Sequence, residues 1–349
     1  MTNKIRLLIT DDSLFFRNIL KNELSKDSGI EVVGMAVDPI GAMEKIQLLK
    51  PDIITMDIEM PRMDGLTFIK KLMEEHPMKV VLVSSMNISV FDALQSGAVD
   101  FVRKPDMSSD NDFQAFIREL KSKIKIASIA RLITDKGLKQ DSVKTDNLSG
   151  IISKYRVAVP TNKIIAIGAS TGGTEATLKI LKELPESFPP ILITQHMPPG
   201  FTKMYADRLN KICSMEVREA ADGDRAEKGV ALIAPGNYQM MLKKDAKGYY
   251  VSCSQGEKVS GHCPSVDVLF DSVAETAAKD SVGIILTGMG KDGASGLLNM
   301  KKAGAFTIGQ DEKTSVVYGM PMVAYNIGAV DVQAAIEDIS DILIKHLTK

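Results

Sequence analysis

No stretch of about 18 consecutive apolar residues occurs in the 349-residue chain, so neither a membrane span nor membrane insertion is expected. Residues 1–10 hold only a short apolar stretch that runs straight into Asp11 and Asp12. That is too short for the core of a secretory signal, and no small-residue cleavage site follows. Cysteine is scarce as well: Cys213, Cys253 and Cys263 are odd in number, and none stands in a CxxC pair. This argues against a disulfide framework or a zinc site and makes a reducing cytoplasm the expected location. Charge of one sign is also missing. The 43 basic and 44 acidic side chains leave a net charge of −1, so no whole-chain field draws in nucleic acid or anionic lipid.

What is present suits two domains. The length exceeds one ordinary domain, and 44% hydrophobic with 25% charged residues lets each half build its own core. Short apolar, β-branched runs at 5–10, 32–36, 53–56, 80–83 and 101–102 alternate with helical patterns. The clearest helical pattern is Phe113, Phe116, Ile117, Leu120 and Ile124. Continuous apolar strands of this kind belong to a parallel sheet covered on both faces, here a doubly wound, flavodoxin-like one. A looser stretch follows, and a second alternating series begins at Ile164, with strands expected at 164–167, 191–194, 230–234, 282–286 and 305–308. Residues 239–243 and 249–253 read as a hairpin. Helical faces comprise Val266, Leu269, Phe270 and Val273, then Ile336, Ile339 and Leu343. The expected organisation is a first α/β domain at 1–124, a linker at 125–160 and a second α/β parallel-sheet domain at 161–349.

Chemistry-bearing residues collect at the strand ends. Asp11 and Asp12 end the first strand and Asp57 the third, and in a right-handed parallel sheet these ends lie side by side. Converging carboxylates repel unless a hard cation neutralises them, and Mg²⁺ suits such a donor set. Ser84 and Lys104 end two further strands, where a hydroxyl and an ammonium suit phosphoryl oxygens. Each alone reads more readily as a solvated loop residue; the coincidence at four strand ends is what informs. The stretches Ile9-Thr10-Asp11-Asp12-Ser13, Met56-Asp57-Ile58-Glu59-Met60-Pro61-Arg62-Met63-Asp64-Gly65, Ser84-Ser85 and Lys104-Pro105 resemble the response-regulator receiver family over roughly residues 4–122. The resemblance implies Asp57 as the phosphorylated residue and Asp11, Asp12 and Asp57 as the Mg²⁺ site. It also implies Lys104 as a phosphoryl contact, with Ser84 and Phe101 as the switch pair and a histidine kinase as phosphodonor. The 86–89 loop is short for that family.

In the second half, Gly168-Ala169-Ser170-Thr171-Gly172 satisfies G-x-S-x-G between a strand and a helix. Such a turn exposes a serine where helix N–H groups can hold an oxyanion. The bland alternative is glycines serving a strand-to-helix turn or a phosphate loop. A dinucleotide site is excluded by the glycine spacing and by Gln195-His196 in place of an acid at the next strand end. His196 follows that strand and is the candidate general base, with His262 as its competitor; His76 and His346 are poorly placed. Asp292, in Thr287-Gly288-Met289-Gly290-Lys291-Asp292-Gly293, ends a third strand and could orient the imidazole. Its bland reading is a helix N-cap. The order Ser, His, Asp disfavours a lipase-like fold, in which the acid precedes the histidine.

Several stretches closely resemble the catalytic domain of the chemotaxis receptor methylesterase family. They are Gly168-Ala169-Ser170-Thr171-Gly172-Gly173-Thr174-Glu175, Gln195-His196-Met197-Pro198-Pro199-Gly200-Phe201, Ile233-Ala234-Pro235-Gly236, Pro264-Ser265-Val266-Asp267-Val268-Leu269-Phe270 and the Asp292 turn, within about 161–345. The resemblance implies a phosphorylation-regulated protein-glutamate methylesterase that also deamidates glutamine. Ser170 would be its nucleophile, His196 its base and Asp292 its orienting acid, with oxyanion N–H groups near Thr171 and Met289 and no cofactor for the esterase. Its substrate would be the cytoplasmic domains of chemotaxis receptors. Two positions depart from the pattern: Gln239 stands where the family usually has histidine, and Cys263 where it usually has arginine. Two rivals remain, a DNA-binding response regulator, disfavoured by the neutral charge and the large second domain, and a non-catalytic receptor-binding adaptor.

Overall fold

The computed structural model describes residues 4–60, 65–85, 89–105, 110–132 and 163–348. Positions 133–160 of the expected linker, 86–88 of the short loop and 61–64 of the Asp57 motif lie outside them. The chain divides into two compact units, Met1–Gly137 and Leu138–Lys349.

The first unit carries β1 (Ile5–Thr10), β2 (Ile30–Ala36), β3 (Ile53–Met56), β4 (Lys79–Ser84) and β5 (Asp100–Arg103). They form one parallel sheet in the order β2-β1-β3-β4-β5, the flavodoxin-like arrangement expected from the apolar runs. Every residue of β3 is buried, because helices cover both faces of a central strand. Helix α1 (Leu14–Leu24) starts where Ser13 Oγ accepts the Phe16 N–H, and α2 (Pro39–Leu49) where Asp38 accepts the Gly41 N–H and Pro39 opens the first turn. After α3 (Gly65–Glu75) and α4 (Ser89–Gln95), α5 (Asp110–Ile129) buries Phe116, Ile117, Leu120 and Ile124. This last helix continues past 124 to Ile129.

The second unit holds a seven-stranded, all-parallel sheet in the order β14-β13-β12-β6-β7-β9-β8. These strands are β6 (Ile164–Ala169), β7 (Ile191–Gln195), β8 (Glu216–Glu219), β9 (Val230–Ile233), β12 (Ser281–Ile285), β13 (Phe306–Gln310) and β14 (Val332–Ala334). Between β9 and β12 the chain makes the antiparallel hairpin β10 (Tyr238–Asp245) and β11 (Gly248–Gln255). The helices of this unit are α6 (Gly173–Lys182), α7 (Phe201–Ile212), α8 (Val266–Thr276), α9 (Ala294–Lys302), α10 (Met320–Asn326) and α11 (Ile339–Leu347). Strands β8 and β14 are not evident from sequence. Both are short edge strands (Glu-Val-Arg-Glu and Val-Gln-Ala), each broken by polar residues, so neither carries a buried apolar run.

Helix α8 buries Val266, Leu269, Phe270 and Val273 completely, the face expected from their spacing. It lies so close to β6 that a Cβ on Gly168 would stand 2.1 Å from Val266 Cγ1. The hairpin packs on the same helix, with the Leu242 N–H donating to Ser272 Oγ at 2.8 Å. The chain runs outward from β6 on one side through β7 and on the other through β12. The carboxyl ends of β6 and β12 therefore border a topological switch point, where parallel α/β sheets leave a crevice.

Candidate functional site

Three polypeptide turns meet at that crevice. The first leaves β6 at Ala169 and enters α6 through Ser170, Thr171 and Gly172. Gly172 has φ +78°, and a Cβ on it would lie 2.6 Å from Val316, so only glycine fits. Ser170 is buried, and its N–H donates to Thr287 O at 3.0 Å. The second turn leaves β7. Ala169 is the register partner of Gln195, so Ser170 and His196 leave adjacent strands at the same edge, and the His196 N–H donates to Ala169 O. The buried Gln195 ties the two turns together, its Nε2 donating to Ser170 O at 2.9 Å and to His196 O at 3.3 Å. The third turn leaves β12 and carries Gly288, where a Cβ would stand 2.7 Å from Ser170 Cβ, and then Asp292.

Asp292 is 2% exposed and is held from four directions. Its Oδ2 lies 2.7 Å from His196 Nε2 and accepts the Val266 N–H at 2.7 Å. Its Oδ1 accepts Ser265 Oγ–H at 2.7 Å and the Asp267 N–H at 3.0 Å. The N-cap reading of Asp292 is therefore corrected. Its own helix α9 begins at Ala294 with Gly293 as N-cap and no side-chain cap bond, whereas Asp292 sits across the N-terminus of α8. Burial pushes the Asp292 carboxyl upward, but the bonds from His196, Ser265 and Val266 outweigh it and hold the group down at about 2.

An ionised carboxylate accepts only, so the proton of the 2.7 Å bond belongs to His196 Nε2. In the neutral imidazole Nδ1 is then the lone-pair nitrogen; it is buried and without a hydrogen-bond partner among the described residues. His262 does not compete for the Asp292 bond. Its ring lies flat against the His196 ring, centroids 3.6 Å apart and planes 7° from parallel. His346 instead stacks on Phe306. Thr171 is buried with its carbonyl accepting Thr287 Oγ–H at 2.9 Å, and the Met289 N–H donates to no described residue.

Sequence reasoning missed Ser265, Gln195 and the histidine stack. Ser265 was accessible as an N-cap type residue before the apolar face of α8. The other two join segments far apart in the chain.

The first unit has its own polar pocket at the ends of β1, β3, β4 and β5. Ligand oxygens of Asp11, Asp12 and Asp57 lie within 4.8 Å of one another; Asp11 and Asp57 are buried and Asp12 is exposed. The Lys104 ammonium pairs with Asp11 at 2.8 Å and with Asp57. Burial raises the Asp57 carboxyl more than Lys104 lowers it, whereas two carboxylates outweigh the burial of Lys104 and keep its ammonium charged. Ser84 is fully buried, and its Oγ has no partner among the described residues. Phe101 is buried with its ring edge-on to Phe91, centroids 6.4 Å apart. The donor chemistry suits a hard divalent cation, since three carboxylates converge and one faces solvent.

Comparison with known proteins agrees with both pockets. The family described as CheB methylesterase matches residues 165–343, and the response regulator receiver domain matches residues 7–113. A protein-glutamate methylesterase/protein-glutamine glutaminase 2 of Syntrophomonas wolfei subsp. wolfei is 52% identical over 346 residues, covering 99% of this chain and 98% of the relative. The corresponding enzyme of Escherichia coli O6:K15:H31 is 45% identical over 351 residues, covering 99% and 97%. Among solved structures, the CheB methylesterase catalytic domain of Thermotoga maritima matches with 38% identity and a TM-score of 0.52, covering 54% of this chain and all of that one.

Proposed function

Because the chain belongs to the CheB methylesterase family, a receiver-regulated protein-glutamate methylesterase and protein-glutamine glutaminase of chemotaxis, we propose that Ser170, His196 and Asp292 are its catalytic triad. His196 Nδ1 takes the Ser170 proton as Oγ attacks the ester carbonyl of a receptor glutamate. The carbonyl oxygen gains negative charge, which backbone N–H groups at Thr171 and Met289 stabilise. The imidazolium returns its proton to the leaving methoxide, and methanol departs. Water, deprotonated by the same nitrogen, then cleaves the glutamyl-serine ester. With a glutamine side chain the leaving group is ammonia, and the product is again glutamate. Asp292 stays ionised throughout; it holds the Nε2–H tautomer and balances the imidazolium.

The receiver part of the proposal concerns Asp57. Its carboxylate oxygen accepts a phosphoryl group from a histidine kinase. Asp11, Asp12 and Asp57 would hold Mg²⁺, which when bound neutralises the carboxylates and the incoming phosphoryl oxygens. Lys104 then turns its ammonium from the free carboxylate to a phosphoryl oxygen. Ser84 Oγ–H, buried without a described partner, donates to another, and Phe101 follows it. The substrate is the cytoplasmic domain of chemotaxis receptors, so the enzyme works in the cytoplasm. No helix among the described residues is long and apolar enough to cross a membrane. The first domain is taken to run through the end of α5 at Ile129, a few residues beyond the expected limit of 124, with the linker after it and the hydrolase domain at 161–349.

The observation that carries the catalytic reading is the ionised, four-fold-held Asp292 against His196 Nε2. Methanol release from methylated receptor tests it. Ser170→Ala is expected to remove nearly all turnover, and full turnover in that variant would overturn the triad.

A further inference from the structure

We propose that Gln239 is a positioning residue for the hydrolase, acting on the Asp292–His196 pair through the loop between the β10–β11 hairpin and α8. The inference rests on the triad assignment above. Gln239 lies on β10, is 6% exposed and uses both ends of its amide. Its Nε2 donates to Glu257 O at 3.0 Å and to His262 O at 3.3 Å, while its Oε1 accepts the Ser265 N–H at 2.8 Å.

These three partners span a loop with little apolar anchoring: residues 254–261 are all exposed. Two groups of that loop reach the catalytic pair. Ser265 donates its Oγ–H to Asp292 Oδ1, and the His262 ring lies against His196. The amide of Gln239 thus fixes the backbone at both residues that touch the pair. Val259 and His262 exchange backbone hydrogen bonds within the loop, and the Asn237 N–H donates to Cys263 O, but at Ser265 the Gln239 amide is the tie from the hairpin.

Glutamine suits the task because one acceptor and two donors on a planar group match one N–H and two carbonyls. Without that amide, the buried Ser265 N–H loses its partner and His262 O keeps only the Val259 N–H, so the loop shifts to find others. Displacements of a fraction of an ångström at Ser265 and His262 would pass to the Asp292 carboxylate and the His196 ring. They would alter the chemical step, not the binding of the receptor.

The test uses the full-length enzyme. Gln239→Met keeps the buried volume and removes all three bonds. Its kcat for methanol release is expected to fall by about tenfold or more with KM within about twofold, and labelling of Ser170 by a fluorophosphonate to slow in parallel. Gln239→His, which retains one donor and one acceptor, is expected to recover most of that rate. If the Met variant does not fold, Gln239→Glu carries the test. It keeps the acceptor for Ser265 but sets a carboxylate against two carbonyls, and the same kcat loss is expected. Combining either variant with Ser265→Ala should add little to the larger single loss, since both act along one path. A kcat within about twofold of wild type overturns the proposal, as does a rise in KM at unchanged kcat or fully additive losses. Full activity of Ser170→Ala would instead overturn the triad itself, so the two failures are distinguishable.

Discussion

His196 and His262 lie face to face, their ring centroids 3.6 Å apart and their planes 7° from parallel. One ring carries the Asp292 bond; the other gives it a flat wall that limits rotation about the Cβ–Cγ bond. The nitrogen opposite Asp292 is thereby aimed by packing as well as by the hydrogen bond.

That wall has a measurable role. His262→Ala is expected to lower kcat by about 10- to 100-fold with KM little changed, because a slightly misplaced base costs rate before it costs binding. His262→Phe retains a flat ring and should keep most of the activity. Steady-state methanol release from both variants decides it; equal losses in both would mean that His262 acts through its nitrogens, not its face.

Asp292→Asn tests the tautomer. An amide can present its NH₂ to His196 and stabilise the wrong ring form, so kcat is expected to drop on the order of 10⁴-fold. Stability should change with pH as well. The folded carboxyl lies below its ordinary 3.8, at about 2, so its contribution is present above pH 3.8 and is lost as pH falls through 3.8 towards 2. Denaturant unfolding of wild type and variant should therefore differ at pH 7 and converge near pH 2. A constant difference across that window would contradict the shift.

Gly288→Ala adds a Cβ 2.7 Å from Ser170 Cβ and 2.4 Å from Met320 Sδ. The serine must move, and a loss of about 100-fold in kcat is expected with the fold retained. Circular dichroism together with the rate of fluorophosphonate labelling separates a displaced nucleophile from an unfolded domain.

In the receiver, Asp57→Asn should abolish the rise in methanol release that a small phosphodonor produces, and chelation of divalent cations should abolish it in wild type. Ser84→Ala should reduce the rise while still permitting phosphorylation, which phosphate-affinity electrophoresis reads directly. An undiminished response in Asp57→Asn would move the phosphoacceptor elsewhere.

The thiols at Cys213 and Cys253 should be sluggish. Burial pushes them up to about 11 and about 12, and for Cys253 nearby Asp222, Asp224 and Glu219 add to the effect. At pH 8 a disulfide reagent is expected to modify each at least about 100-fold more slowly than free cysteine. Rapid labelling mapped to either residue would contradict this.

The residue order alone determined where the chemistry stands. The apolar runs before Asp11, Asp57, Ser170 and His196 are long enough to be strands and too apolar to face water on either side. They therefore form parallel sheets, and in a parallel sheet the residues that follow the strands share one edge. Binding of side chains across that edge was decided only in three dimensions. Whether His196 uses Nδ1 or Nε2 depends on a carboxylate at 292. The charge of that carboxylate depends in turn on N–H groups at 266 and 267 and on the hydroxyl of Ser265. Those groups are there because α8 packs on β6 over Gly168. Nothing local in any of these segments encodes the meeting. The edge strands β8 and β14 escaped for a related reason. A strand paired on one side only and open to solvent needs no apolar run, so its identity comes from its neighbour, not from its own residues.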